Sequence, residues 1–114
     1  MNNTTMKKIS EIDTKKYVPF YTMNDLVKAM VRNMKVWSWG ANGWTNLEGK
    51  MLKFKVNGHH HKGYVYIAVN GLDLFDIILV NNFGDIIEEI HDVYLEDLID
   101  TIDVKVEKID AYKR

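Results

Sequence analysis

Between Lys50 and His91 the chain alternates short apolar runs with turn signals placed so close together that no helix fits between them. Val36–Trp39, Met51–Val56, Gly63–Val69, Phe75–Val80 and Asp85–Ile90 have strand character, and Gly40–Gly43, Asn57–Gly58, Asn70–Gly71 and Asn81–Gly84 separate them. Parallel strands need crossovers of a dozen or more residues. Connections this short leave a four- or five-stranded, mainly antiparallel meander.

Side-chain parity sets the register. Leu52, Phe54 and Val56 alternate with Lys53 and Lys55, and Val65, Ile67 and Val69 alternate with Tyr64, Tyr66 and Ala68. A loop over Gly58–His61 sets Phe54 opposite Val65 and Leu52 opposite Ile67, and it leaves the histidines in the loop. Keeping Asp76 out of the core turns Phe75, Ile77 and Leu79 inward. That choice needs an odd connection, such as Asn70–Leu74 or a bulge at Gly71.

Helical periodicity brackets the sheet. Thr22–Asn33 has a capping-box spacing at Thr22 and Asp25, a staple pair in Tyr21 and Leu26, and apolar positions at Leu26, Val27, Met30, Val31 and Met34. Downstream, Asp92 is placed to cap a helix whose Leu95, Leu98, Ile99, Ile102, Val106 and Ile109 share one face, with Asp97, Asp100, Asp103 and Glu107 solvated on the other. The fold expected is α+β: a two-layer domain with an N-terminal helix, a meander sheet and a C-terminal amphipathic helix, both helices on one face. Residues 1–20, polar and ending at the only proline, Pro19, read as a flexible arm or docked segment before a single domain at 21–114.

Charge is divided along the chain. Residues 1–63 hold eleven Lys/Arg against four acids, and residues 64–114 hold four against twelve, so halves of +7 and −8 make the net −1. Either the halves interleave in space, or the surface is bipolar and binds an anion or stacks on itself head to tail. Without cysteine there is neither disulfide nor thiolate chemistry, which suits a reducing compartment. No run reaches the roughly eighteen apolar residues of a membrane span, and no signal-peptide core opens the chain, so a cytoplasmic location is expected.

Catalytic signals are weak, and neither a catalytic residue nor a cofactor is expected. His59-His60-His61 fits no standard metal spacing, with His91 the one remaining histidine. Carboxylate pairs drawn from Asp73, Asp76, Glu88 and Glu89 follow from acid density alone. Trp37 and Trp39 share a strand face and read as buried, whereas Trp44, after Gly43, reads as a plug over the core and the tryptophan best placed to touch a partner.

The outward sheet face is the distinctive feature. Lys53, Lys55, Tyr64, Tyr66, Ile78 and Val80, joined by Ile87, are too aromatic and aliphatic to be left in water. An arm carrying Tyr17, Val18 and Phe20, a second copy of the chain, or a ligand would cover them. The function expected is a non-enzymatic protein binding a protein partner, most simply itself, through Trp44, Lys53, Lys55, Tyr64, Tyr66, Ile78 and Val80. An alternative is single-stranded nucleic-acid binding, because Tyr64 and Tyr66 beside Lys53 and Lys55 imitate a basic, base-stacking face. A second alternative is a metal-dependent enzyme using the His59–His61 loop.

The run WSWGANGWT, followed by LKFKVNG, HKGYVYIAVNG, DLFDI and the helix LEDLIDTID, resembles small uncharacterised proteins carried by bacteriophages and mobile elements of gut bacteria, over Trp37 to about Ile109. The resemblance implies a small accessory protein acting in the cytoplasm of a host cell and carries no catalytic residues. The basic arm and the HHHK loop lie outside the resemblance.

Overall fold

The structure is a computed structural model that describes residues 7–18 and 23–107. Five antiparallel strands, β1 (Asn42–Leu47), β2 (Met51–Asn57), β3 (Lys62–Val69), β4 (Phe75–Val80) and β5 (Ile86–Val93), lie side by side in chain order. Helices α1 (Met23–Val31), α2 (Met34–Ser38) and α3 (Leu98–Val106) share one face of the sheet. This is the α+β meander expected from the turn spacing.

The parity argument holds at both central hairpins. Phe54 faces Val65, Leu52 faces Ile67, and Val69 faces Phe75 across the Asn70–Leu74 connection. Leu52, Phe54, Val65, Ile67, Ile77 and Leu79 therefore point to the helices, where they meet Met23, Leu26 and Met30 of α1 and Leu98, Ile102 and Val106 of α3. Burial at 3.6-residue spacing on α1 and α3 is what holds these two short helices, since nine residues in isolation would not form a stable helix in water.

Three expectations are corrected. Val36–Trp39 is not a strand. The Asn33 side chain accepts the Lys35 amide at 2.8 Å as an N-cap, and Gly40 adopts φ +66° just beyond the last turn, so a helical turn forms between two strong end signals despite its β-prone residues. The first strand comes later, as the polar edge strand β1, bulged between Asn42 and Thr45. At the other end, β5 runs on to Val93 with Asp92 at φ +61° in an irregularity opposite β4, so Asp92 caps no helix. A 3-10 turn at Leu95–Asp97 precedes α3, and Leu95 is exposed rather than in the core. The capping box and staple at Tyr21, Thr22 and Asp25 and the position of Ile109 involve residues outside those described.

The acidic face of α3 is less solvated than its pattern implies. Asp103 accepts the indole N–H of the fully buried Trp39 at 2.8 Å, and Glu107 accepts the His59 amide at 3.1 Å. Ion pairs Lys8–Asp85 and Lys35–Asp100, each 2.6 Å, join the basic and acidic halves, as interleaving requires. Ile102→Ala, which empties a fully buried position, is expected to cost about 2–5 kcal/mol in chemical denaturation. Leu72→Ala, on the exposed β3–β4 turn, should stay within about 0.5 kcal/mol.

Candidate functional site

The outward side chains of the sheet form rows across its strands. One row runs Asn42, Lys55, Tyr64, Val80, Ile86; the next runs Thr45, Lys53, Tyr66, Ile78, Glu89. The arm crosses this face diagonally. Ile9 N–H donates to Gly84 O at 2.8 Å and Ile86 N–H to Lys7 O at 2.7 Å, while at the far end Val18 N–H donates to Val69 O at 3.0 Å. Between these anchors Ile9, Ile12 and the buried Tyr17 pack on Met51, Tyr66, Ala68, Ile78, Val80 and Ile86. Of the three covers open to this face, the arm occupies its apolar part.

The seven residues expected to bind a partner do not share one surface. Tyr66, Ile78 and Val80 are sealed under the arm at 7%, 0% and 1% exposure. Trp44 turns to the opposite face of the sheet, where its ring stacks on Phe54 at 4.3 Å and packs against the main core. Lys53 lies over both tyrosine rings, 4.6 Å from that of Tyr64 and 5.8 Å from that of Tyr66, so a base would have to displace the ammonium group to stack there. Lys55 is exposed, and Tyr64 half-buried. What remains open of the outward face is a basic corner.

Beneath the arm lies a polar cluster that the sequence did not reveal. Asp76, only 3% exposed, accepts from Asn70 Nδ2 at 2.9 Å and from the Asp92 amide at 3.2 Å, and its other oxygen meets His91 Nδ1 at 3.0 Å. Asn70 also donates to Asp92 at 2.8 Å, and His91 Nε2 faces Glu89 at 3.4 Å. Burial pushes the Asp76 carboxyl up, but the hydrogen bonds from His91, Asn70 and the Asp92 amide, with the charge of His91, outweigh it and hold it below the usual carboxylate range. Desolvation first, then the charge and nearby oxygen of Asp76 and the charge of Glu89, drives the Tyr17 phenol far above its ordinary value. Its hydroxyl has no hydrogen-bond partner of good geometry among the described residues. Carboxylates face both ring nitrogens of His91, and the cluster anchors the bulge of β5 below Tyr17.

The histidine loop is a clasp. His60 N–H donates to the last-turn carbonyl of Val106 at 2.8 Å, His59 reaches Glu107, and the buried His61 ring contacts Tyr64 O at 3.2 Å. The His59 and His61 rings therefore go to different partners. Among the described residues no three His, Cys, Asp or Glu groups are placed to hold a metal ion.

A second surface lies on the helical layer. Because α2 is a helix, Trp37 and Trp39 point apart: Trp39 is fully buried and Trp37 is 70% exposed, its indole N–H donated to Val31 O. Met34 beside it is 82% exposed. A depression of about 460 Å³ runs between α2 and α3, lined by Met34, Lys35, Ser38, Asp100, Asp103, Val104 and Glu107. The Asn33 and Gly40 end signals were the sequence clue to this surface. No protein family, curated protein or solved structure matches the chain.

The depressed Asp76 carboxyl makes its contribution to stability full above the unfolded-state value of about 3.9 and lost as pH falls through the lower folded value. Asp76→Asn should accordingly flatten that acid-side loss in thermal melts measured from neutral pH downwards. Tyr17→Phe removes a buried hydroxyl without a partner, so stability should hold or rise by up to about 1 kcal/mol. Tyr17→Ala should uncover the outward face and increase binding of a hydrophobic dye.

Proposed function

We propose that this chain is a non-enzymatic binding protein whose partner is a second copy of itself, engaged through the apolar patch of the helical layer. Trp37 carries the reading. Its indole is tethered to the end of α1 yet mostly exposed, so a large aromatic surface is already ordered before any partner arrives. Met34, Val31 and Val104 extend the patch, all exposed to water in the free chain. The outward sheet face, where the sequence suggests the same contact, is occupied by the chain's own arm.

Charge favours a second copy as the occupant. Lys35 lies on the α2 side of the groove and Asp100, Asp103 and Glu107 on the α3 side, with Lys35 and Asp100 paired in the free chain at 2.6 Å where both are exposed. With a cation on one rim and carboxylates on the other, a two-fold related copy can exchange the exposed Lys35–Asp100 pair between protomers, the arrangement a self-complementary surface requires. The role fits a small accessory protein of the phage or mobile-element type, working in the cytoplasm without catalysis.

Sedimentation velocity between about 5 and 200 µM tests this, a range spanning ordinary weak dimers. A concentration-dependent dimer is expected that weakens with added salt and disappears in Met34→Glu/Trp37→Glu, while Leu72→Glu leaves it unchanged. A wild-type chain that stays monomeric throughout, or a dimer indifferent to the Trp37 change, would overturn the proposal.

A further inference from the structure

The corner of the outward face that the arm leaves open is a built depression of about 400 Å³, lined by Asn42, Lys55, Asn57, Lys62 and Asn82 over the backbone of Val56 and Gly63. We infer that it is a nucleotide site, with Lys55 and Lys62 holding a phosphate group and the asparagine amides reading the attached sugar or base. It lies on the other side of the sheet from the helical patch, so it stands or falls independently of self-association.

Four observations converge on this assignment. No carboxylate lines the depression, although acids are as common in the chain as Lys and Arg, sixteen against fifteen. Among the described residues neither Lys55 nor Lys62 makes an ion pair, whereas Lys8, Lys35 and Lys105 each do. Lysines left without counter-ions in an acid-free hollow attract an anion, and an ammonium group binds phosphate as a point charge.

The second observation is register. Asn42 pairs with Lys55 and Asn57 with Lys62 across three adjacent strands, so two cations and two amides stand on one rigid floor rather than on independent loops. Third, a Cβ at Gly63 would overlap the Val80 carbonyl; glycine there brings β3 close to β4 and leaves the floor bare. The fourth is the chemistry of the amides. An asparagine side chain offers a donor and an acceptor side by side, the pattern that matches a base edge or a ribose hydroxyl and exceeds what inorganic phosphate can use; Asn42 Nδ2 already donates to Gly40 O at 2.9 Å, so Asn57 and Asn82 carry this part of the assignment. The volume is within the range of small-molecule sites.

The same phosphate chemistry occurs in a free nucleotide and in a single strand, and the assay separates them. Inorganic phosphate, adenosine monophosphate and a short single-stranded oligonucleotide are titrated into the ¹⁵N-labelled full chain and followed by amide chemical shifts. Shifts should gather on Asn42, Lys55, Asn57, Lys62 and Asn82, with the nucleotide binding about tenfold or more tighter than phosphate. A further gain for the oligonucleotide with a steep salt dependence identifies a strand as the source; no further gain identifies the free nucleotide. Lys55→Gln/Lys62→Gln, both on exposed positions, should remove the shifts, and Lys28→Gln on α1 should keep them. The inference is overturned if none of the three ligands shifts these amides, if phosphate binds as tightly as the nucleotide, or if the shifts fall on the arm lysines and survive the double change.

Discussion

A single sheet that is apolar on both sides must be covered twice. Every residue of β4 is buried, so neither Ile77 and Leu79 on one face nor Ile78 and Val80 on the other can meet water, and each face must find its own cover. Three helices supply the first. The second is a stretch of residues 7–18 with very little regular structure, anchored at its ends by backbone bonds and in its middle by Tyr17. What the protein can offer to another molecule follows from how completely these two layers do that work.

The covers are unequal. The helical layer contributes the larger core but is built from short helices, and α2, only five residues long, buries Val36 while lifting Met34 and Trp37 out of the core. Its groove holds the Lys35–Asp100 ion pair, exposed on both side chains and therefore worth little by itself in water. Ion pairs of this kind orient an approach more than they hold it, consistent with a surface whose affinity would come from the indole and the thioether.

Polar groups under the arm follow a stricter logic. Asp76 is buried opposite the end of β5, and it stays ionised because the irregularity at His91 and Asp92 turns an amide and an imidazole towards it while Asn70 bridges both carboxylates. Tyr17 closes over this network with its hydroxyl beside Asp76, close enough to feel the carboxylate but without a hydrogen bond of good geometry among the described residues. Beyond the arm's reach the face turns basic, and there Lys53 has folded onto its tyrosines while Lys55 and Lys62 have not found a counter-charge.

The sequence by itself determined the sheet. Period-two alternation and turn residues specify which side chains face together, and a one-residue slip would have put Lys53 or Asp76 into the core, so the registers of Phe54 with Val65 and of Val69 with Phe75 were legible from parity. The acidic outer face and apolar inner face of α3 were legible for the same reason, through periods of 3.6. What only the tertiary structure decided lies where local signals compete or are absent. Val36–Trp39 carries strand propensity, yet the cap at Asn33 and the left-handed Gly40 fold it as helix, which exchanges a buried Trp37 for an exposed one. The arm's destination has no local signature, because Ile9, Ile12 and Tyr17 follow no period; their burial is settled by the vacancy on the outward face, a property of the assembled sheet. The Asp76 network needs the irregularity of β5 at Asp92, and the Lys55–Lys62 hollow needs Asn42 of β1 and Asn82 beyond β4 brought to the same corner, and neither meeting is marked by spacing in sequence.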